Sequence, residues 1–289
     1  METKGTMDVT FVAPLDKFDA ELDSLLIGAE VVLSRVKDKD KRFLRKLVGS
    51  GAGVGYAVPK ADFALETTLA SVDIIPDANE ASERFARVVT AFRLIKRGAF
   101  GLPVLIACET GSRALKAAFG PFRPHAFGEP YFLGKQEADK LRNVVQELCA
   151  GRLSDRQNIA LRRFEMAYER GIAEDRLIDY WVALEALFLP DIFQELSFRA
   201  SLRIAYYVAG TPDEREEVFR KMRLSYDIRS DVVHGQRLKA DVSEVASDTE
   251  EILRRALRAE VMNPGSLNVD RLDAAIARGQ GAPQSGGAR

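Results

Sequence analysis

The spacing of hydrophobic positions changes character near the middle of the chain. In the first part, "MDVTFVAPL" (7–15) reads as a strand, and "DAELDSLLIGAEVVLSRV" (19–36) carries apolar residues at helical spacing together with a β-branched run. "GYAVPKADFALETTL" (55–69) and "LPVLIACE" (102–109) read as extended segments punctuated by Gly and Pro. Between them, "NEASERFARVVTAFRLIKRG" (79–98) places Phe85, Val88, Val89, Phe92 and Ile95 on one face, and its spacing predicts an amphipathic helix stopped by Gly98.

From about Lys135 onward, long segments of helical period follow one another with short breaks. "QEADKLRNVVQELCAG" ends at Gly151, "SDRQNIALRRFEMAYERG" opens on Ser154 as a cap, and "AEDRLIDYWVALEALFLP" stops at Pro190. "QELSFRASLRIAYYVAG" ends at Gly210. "TPDEREEVFRKMRLSYDIR" has Thr211 as cap, Pro212 at the first helical position and acidic residues in the first turn, where the helix dipole favours them. "SEVASDTEEILRRALRAEVM" predicts a further helix, and the Gly-rich end, 279–289, is expected to be disordered. The predicted fold class is therefore an α+β N-terminal region, residues 1–134, followed by an all-α helical bundle, residues 135–278.

Composition narrows the class without naming a function. With 289 residues, 46% hydrophobic and 29% charged, the chain has enough material for a buried core and the balance of a globular protein. No uninterrupted apolar stretch reaches the ~20 residues needed to cross a bilayer. The N-terminal sequence lacks a basic region followed by an apolar run, so a cytoplasmic protein without membrane partners is expected. The formal net charge of -1 gives no global attraction to nucleic acid. Cys108 and Cys149 lack neighbours at metal-ligand spacing; they are expected to be buried free thiols, and no metal or cofactor is expected.

Three stretches invite a chemical reading. The glycines of "GSGAGVGY" (49–56) alternate and are soon followed by Pro59, which fits no phosphate loop, so a flexible loop is expected. His125, in "PFRPHAFGEPYF", has no carboxylate or nucleophile at a telling distance and reads as a partly packed loop residue. "YDIRSDVVHG" (226–235) contains the pattern R-x4-H, formed by Arg229 and His234, at the end of a strongly capped helix with Gly235 as its stop. The spacing alone is weak evidence, because an Arg five places before a given His arises by chance about once in ten such positions in so Arg-rich a chain.

The order and helical setting of "RLIDYWVALEALF" (176–188), "ELSFRASLRIAYYVAG" (195–210) and "LSYDIRSDVVHG" (224–235) resemble the HEPN domains, and specifically their Apea-like branch, over about residues 155 to 262. That resemblance implies a HEPN-like bundle of four or more helices that forms a homodimer, with Arg and His of both protomers facing one cleft. It further implies a metal-independent endoribonuclease of toxin or antiviral-defence type, with RNA or a nucleotide as ligand. The family's motif arginine falls on Arg229 and its histidine on His234. Ser230 and Asp231 loosely match the polar position after the arginine, and Arg223 and Tyr226, three apart on one helix face, are candidate substrate contacts. The chemistry suits these residue types: RNA carries its own 2′-OH nucleophile, an imidazole moves protons near neutral pH, and a fixed guanidinium meets the phosphorane charge.

A second reading stands beside it, that of a non-catalytic dimerisation, interaction or ligand-sensing module. Arg229 then pairs with Asp231, Asp227 or a neighbouring helix, and His234 and Gly235 cap carbonyls. Over 152–260 there are 18 Lys and Arg against 21 Asp and Glu, 18 − 21 = −3, less basic than a phosphate-tracking surface usually is. Arg220, Lys221, Arg223 and Arg229, with Arg199 and Arg203, are the residues from which a local patch would have to be built. Five helical positions turn a side chain by about 140°, so the pair converges only if the helix unwinds near Ser230 or a second protomer completes the site. Trp181 shares its helical stripe with Leu184 and reads as core rather than a base-stacking platform.

Overall fold

The computed structural model describes residues 7–28, 30–37, 41, 61–71, 73–120, 128–190, 195–237 and 240–279. His125, the Gly49–Tyr56 stretch and all but the first residue of the Gly-rich end lie outside them. The chain divides into two compact units, Met1–Ala150 and Gly151–Arg289. The break expected at 134/135 thus falls after Ala150, because the helix Ala138–Cys149 packs within the first unit, on its long helix and on an edge strand.

The first unit contains β1 (Met7–Leu15), β2 (Phe18–Ala20), β3 (Ser24–Gly28), β4 (Val31–Arg35), β5 (Phe63–Ser71), α1 (Ile74–Ile95), β6 (Leu105–Glu109), β7 (Leu115–Phe119), β8 (Tyr131–Leu133) and α2 (Ala138–Cys149). Six strands form an antiparallel sheet in the order β3-β4-β5-β1-β6-β7, while β2 and β8 pair in parallel. On β1, Val9, Phe11, Ala13 and Leu15 are fully buried on the face covered by α1, and Val12 joins Ala64, Val104, Ile106 and Cys108 in a second cluster. Burial on both faces explains why β1 reads as a nearly continuous apolar run rather than a strict alternation.

Three local readings change. The 19–36 stretch, with its apolar residues at helical spacing, folds as the β3–β4 hairpin. Leu25, Ile27, Val31 and Leu33 are buried on alternate positions, and Gly28 at φ 139° and Glu30 at φ 58° make the reversal, so β-branched content and turn chemistry prevail over the apparent spacing. Gly98 is not the helix stop: α1 ends at an extended Lys96, two residues earlier. A Cβ on Gly98 would lie 2.7 Å from Tyr131 Cδ2, so the glycine permits close packing against a buried aromatic group. That group joins Phe18, Phe92 and Phe100. Of the two free thiols, Cys108 is buried as expected, but Cys149 is exposed because it is the last residue of α2.

The second unit is helical: α3 (Asp155–Ala167), α4 (Ala173–Phe188), α5 (Leu196–Val208), α6 (Pro212–Val233), α7 (Val242–Met262) and α8 (Val269–Ala277). Ser154 caps α3 in a reciprocal box with Gln157, and Thr211 caps α6, as their sequences predict. α8, capped by Asn268, had no counterpart among the predicted helices. α4 packs on α3, α6 and α7, and carries Trp181 at 0% exposure, Leu177, Leu184 and Phe188 into the core. Charges taken inside are matched: Arg254 pairs with Glu250 and Glu251, and Asp179 receives both Arg163 and Arg170.

Candidate functional site at the end of helix α6

The termini of α6 are built by local sequence. At its start the Thr211 hydroxyl accepts from the Glu214 N–H at 3.2 Å, with Pro212 leading the first turn. At its end Gly235 takes φ 65°, the Gly235 N–H reaches the Val232 carbonyl at 3.2 Å, and the Gln236 N–H reaches the Asp231 carbonyl at 2.8 Å. This pair of reversed hydrogen bonds is a Schellman motif, in which glycine avoids the left-handed strain that a Cβ brings. The helix remains regular through Val233, and His234 is its cap residue, so there is no unwinding near Ser230.

Arg229 and His234 consequently do not converge within one chain. The Arg229 side chain is 23% exposed and turns toward α4, where its Nη2 lies 3.4 Å from Glu185 Oε1. Its guanidinium carbon sits 5.7 Å from the centre of the Tyr226 ring, and its Nε is buried without a hydrogen-bond partner among the described residues. The Glu185 carboxyl is pushed above its ordinary pKa, because burial disfavours its charge more than Arg229 favours it. His234 is exposed, and its imidazole makes no hydrogen bond among the described residues. Ser230 and Asp231 are half-buried, and the Asp231 contribution to the helix end is its backbone carbonyl.

Tyr226 joins this region to the core. Its ring meets Trp181 edge-on at 4.9 Å, and the Trp181 indole N–H donates to Ser225 Oγ at 2.8 Å, which in turn is 2.6 Å from Thr249 Oγ1. Trp181 is core, as its stripe predicts. Arg223 is half-buried and has no hydrogen-bond partner among the described residues.

The basic cluster is largely neutralised. Lys221 pairs with Glu217 and Asp248 at 3.1 and 3.3 Å, and Arg199 with Glu195 at 3.4 Å. Arg203 is 4% exposed, donates two bonds to Asp273 at 2.8 and 2.6 Å, and a third to the Phe188 carbonyl at 2.7 Å. Of the six basic residues, only Arg220 and Arg223 are without an acidic partner among the described residues. The residue that sequence reasoning missed is Glu185. Its signal was present: it is the only charged side chain between Trp181 and Pro190.

Cavities among the described residues lie elsewhere. One of about 610 Å³ opens on the sheet of the first unit, lined by Thr10, Thr68, Thr110, Glu66 and Arg113. Another of about 500 Å³ in the second unit is lined by Ser154, Arg203, Glu260 and Asn268. Polar groups in both linings are already hydrogen-bonded: Thr10 bridges Thr68 and Thr110 at 3.1 and 2.9 Å, Arg113 pairs with Glu66 at 2.8 Å, and Glu260 accepts from Gln157, Tyr207 and Ser266. Among the described residues no three His, Cys, Asp or Glu side chains form a group able to hold a metal, and no helix is long and apolar enough to cross a membrane. The chain matches no protein-family model, no curated protein and no solved structure.

Proposed function

We propose that the helical unit is a HEPN-type module acting as a homodimeric, metal-independent endoribonuclease. His234 is the general acid or base that moves the 2′-OH proton, and Arg229 is the cation that meets the phosphorane charge. The observation that carries the reading is the state of His234. It stands exposed, with no hydrogen bond from its imidazole among the described residues, at a capped helix end, five residues beyond a guanidinium held by Glu185. An exposed imidazole can be reached by a ligand, and imidazole is the side chain most often used as a general acid or base. Because the two side chains diverge on a regular helix, the reading requires a second copy, whose own α6 end supplies the missing member of each pair.

A specific observation favours the second reading, a non-catalytic dimerisation, interaction or ligand-sensing module. Arg229 already has a carboxylate partner, Glu185, inside its own chain. The two readings separate in one experiment: the full chain and its His234→Ala variant are incubated with varied RNAs in EDTA. The ribonuclease reading expects cleavage by the parent protein and a loss of about 100-fold or more in the variant, the scale of a lost general acid or base. Equal cleavage by both, or none by either, favours the non-catalytic module.

A further inference from the structure

Glu185 occupies a costly position. It is the single charge in the apolar run Trp181–Pro190, its side chain is only 29% exposed, and its burial disfavours the carboxylate form. A hydrophobic side chain there would pack without that penalty. What the carboxylate touches is the Arg229 guanidinium, and the contact is one-sided: Nη2 at 3.4 Å from Oε1, with Nε buried and unmatched. The Tyr226 ring, 5.7 Å from the guanidinium carbon, offers a second support. The guanidinium is therefore held at one edge, while its other Nη donors have no partner among the described residues. A bidentate pair would have taken two of the five N–H donors.

We infer that Glu185 is a positioning residue for Arg229: through this one-sided ion pair it fixes the guanidinium so that its remaining Nη N–H donors meet a phosphate oxygen beside the His234 of a second copy. The inference rests on the ribonuclease reading above, and Glu185 itself touches no RNA. Two opposed consequences follow. Losing the carboxylate loosens the guanidinium, which lowers turnover. It also uncovers the Arg229 charge, which leaves RNA binding as strong as before or stronger.

The test uses the full chain and its Glu185→Gln, Glu185→Asp and His234→Ala variants. The readouts are RNA cleavage kinetics, thermal unfolding, and the NMR order of the Arg229 Nε–H. The inference expects Glu185→Gln to lower kcat by about ten- to a hundredfold without raising KM, to disorder the Arg229 Nε–H, and to unfold at or above the parent temperature, with Glu185→Asp recovering part of kcat. An Arg229 signal unchanged in Glu185→Gln overturns it, as does a loss confined to KM or one that tracks the unfolded fraction. If His234→Ala cleaves like its parent, or the parent cleaves nothing, the ribonuclease reading fails separately. The NMR order of Arg229 then decides the positioning role, loss on Glu185→Gln supporting it and no change overturning it.

Discussion

At Glu185 the chain keeps a carboxylate where burial works against its charge, and this has a measurable consequence for stability. Its folded pKa is raised, so the folded state holds that proton more tightly than the unfolded chain does. The stability contributed by this group is full below the ordinary carboxylate range, about pH 4, and is lost as pH rises through the elevated folded value. An amide at this position cannot titrate. The Glu185→Gln variant should therefore gain stability relative to the parent as pH increases across that window and level off above it, measured by urea unfolding at stepwise pH. A difference between the two proteins that stays flat from pH 4 to pH 8 would contradict the assignment. The residue was legible as an anomaly, a lone charge in "WVALEALF", but not as a partner of Arg229. The spacing of 44 positions between them carries no local signal.

At the scale of elements, α6 is set against its neighbours by a directed hydrogen-bond chain. The Trp181 indole donates to Ser225, Ser225 bonds Thr249, and Thr249 donates to the Val245 carbonyl at 2.7 Å. All three side chains are buried. Replacing Ser225 by Ala leaves the Trp181 N–H buried and unmatched, a cost of about 1–3 kcal/mol, read as a lowered urea midpoint with an unchanged m-value. Because Ser225 lies one helical turn before Arg229, the same change should broaden Arg229 resonances without touching that side chain. The ends of α6 were readable from Thr211, Pro212 and Gly235, because caps are decided within four or five residues. The β3–β4 hairpin was harder to read, since an apolar spacing compatible with a helix competes with β-branched residues and a turn whose geometry appears only when the strands pair.

For the whole molecule, the division after Ala150 leaves the helical unit with its own core, built on Trp181, Phe164, Leu184, Ile204, Met222 and Leu253. A fragment of residues 151–279 should then fold by itself, giving a helical circular-dichroism spectrum and one cooperative thermal transition. A fragment that unfolds without a transition would show that the first unit is needed for its stability. The sequence by itself determined the change from mixed α+β to all-α, most helices with their caps, and the core role of Trp181, because periodicity and capping are properties of neighbouring residues. Only the tertiary structure decided that α2 belongs to the first unit, that Arg203 is spent on Asp273 some 70 positions away, and that Arg229 faces Glu185 while His234 stays exposed. Those outcomes depend on which distant side chains packing brings within a few ångströms, and local spacing does not encode them.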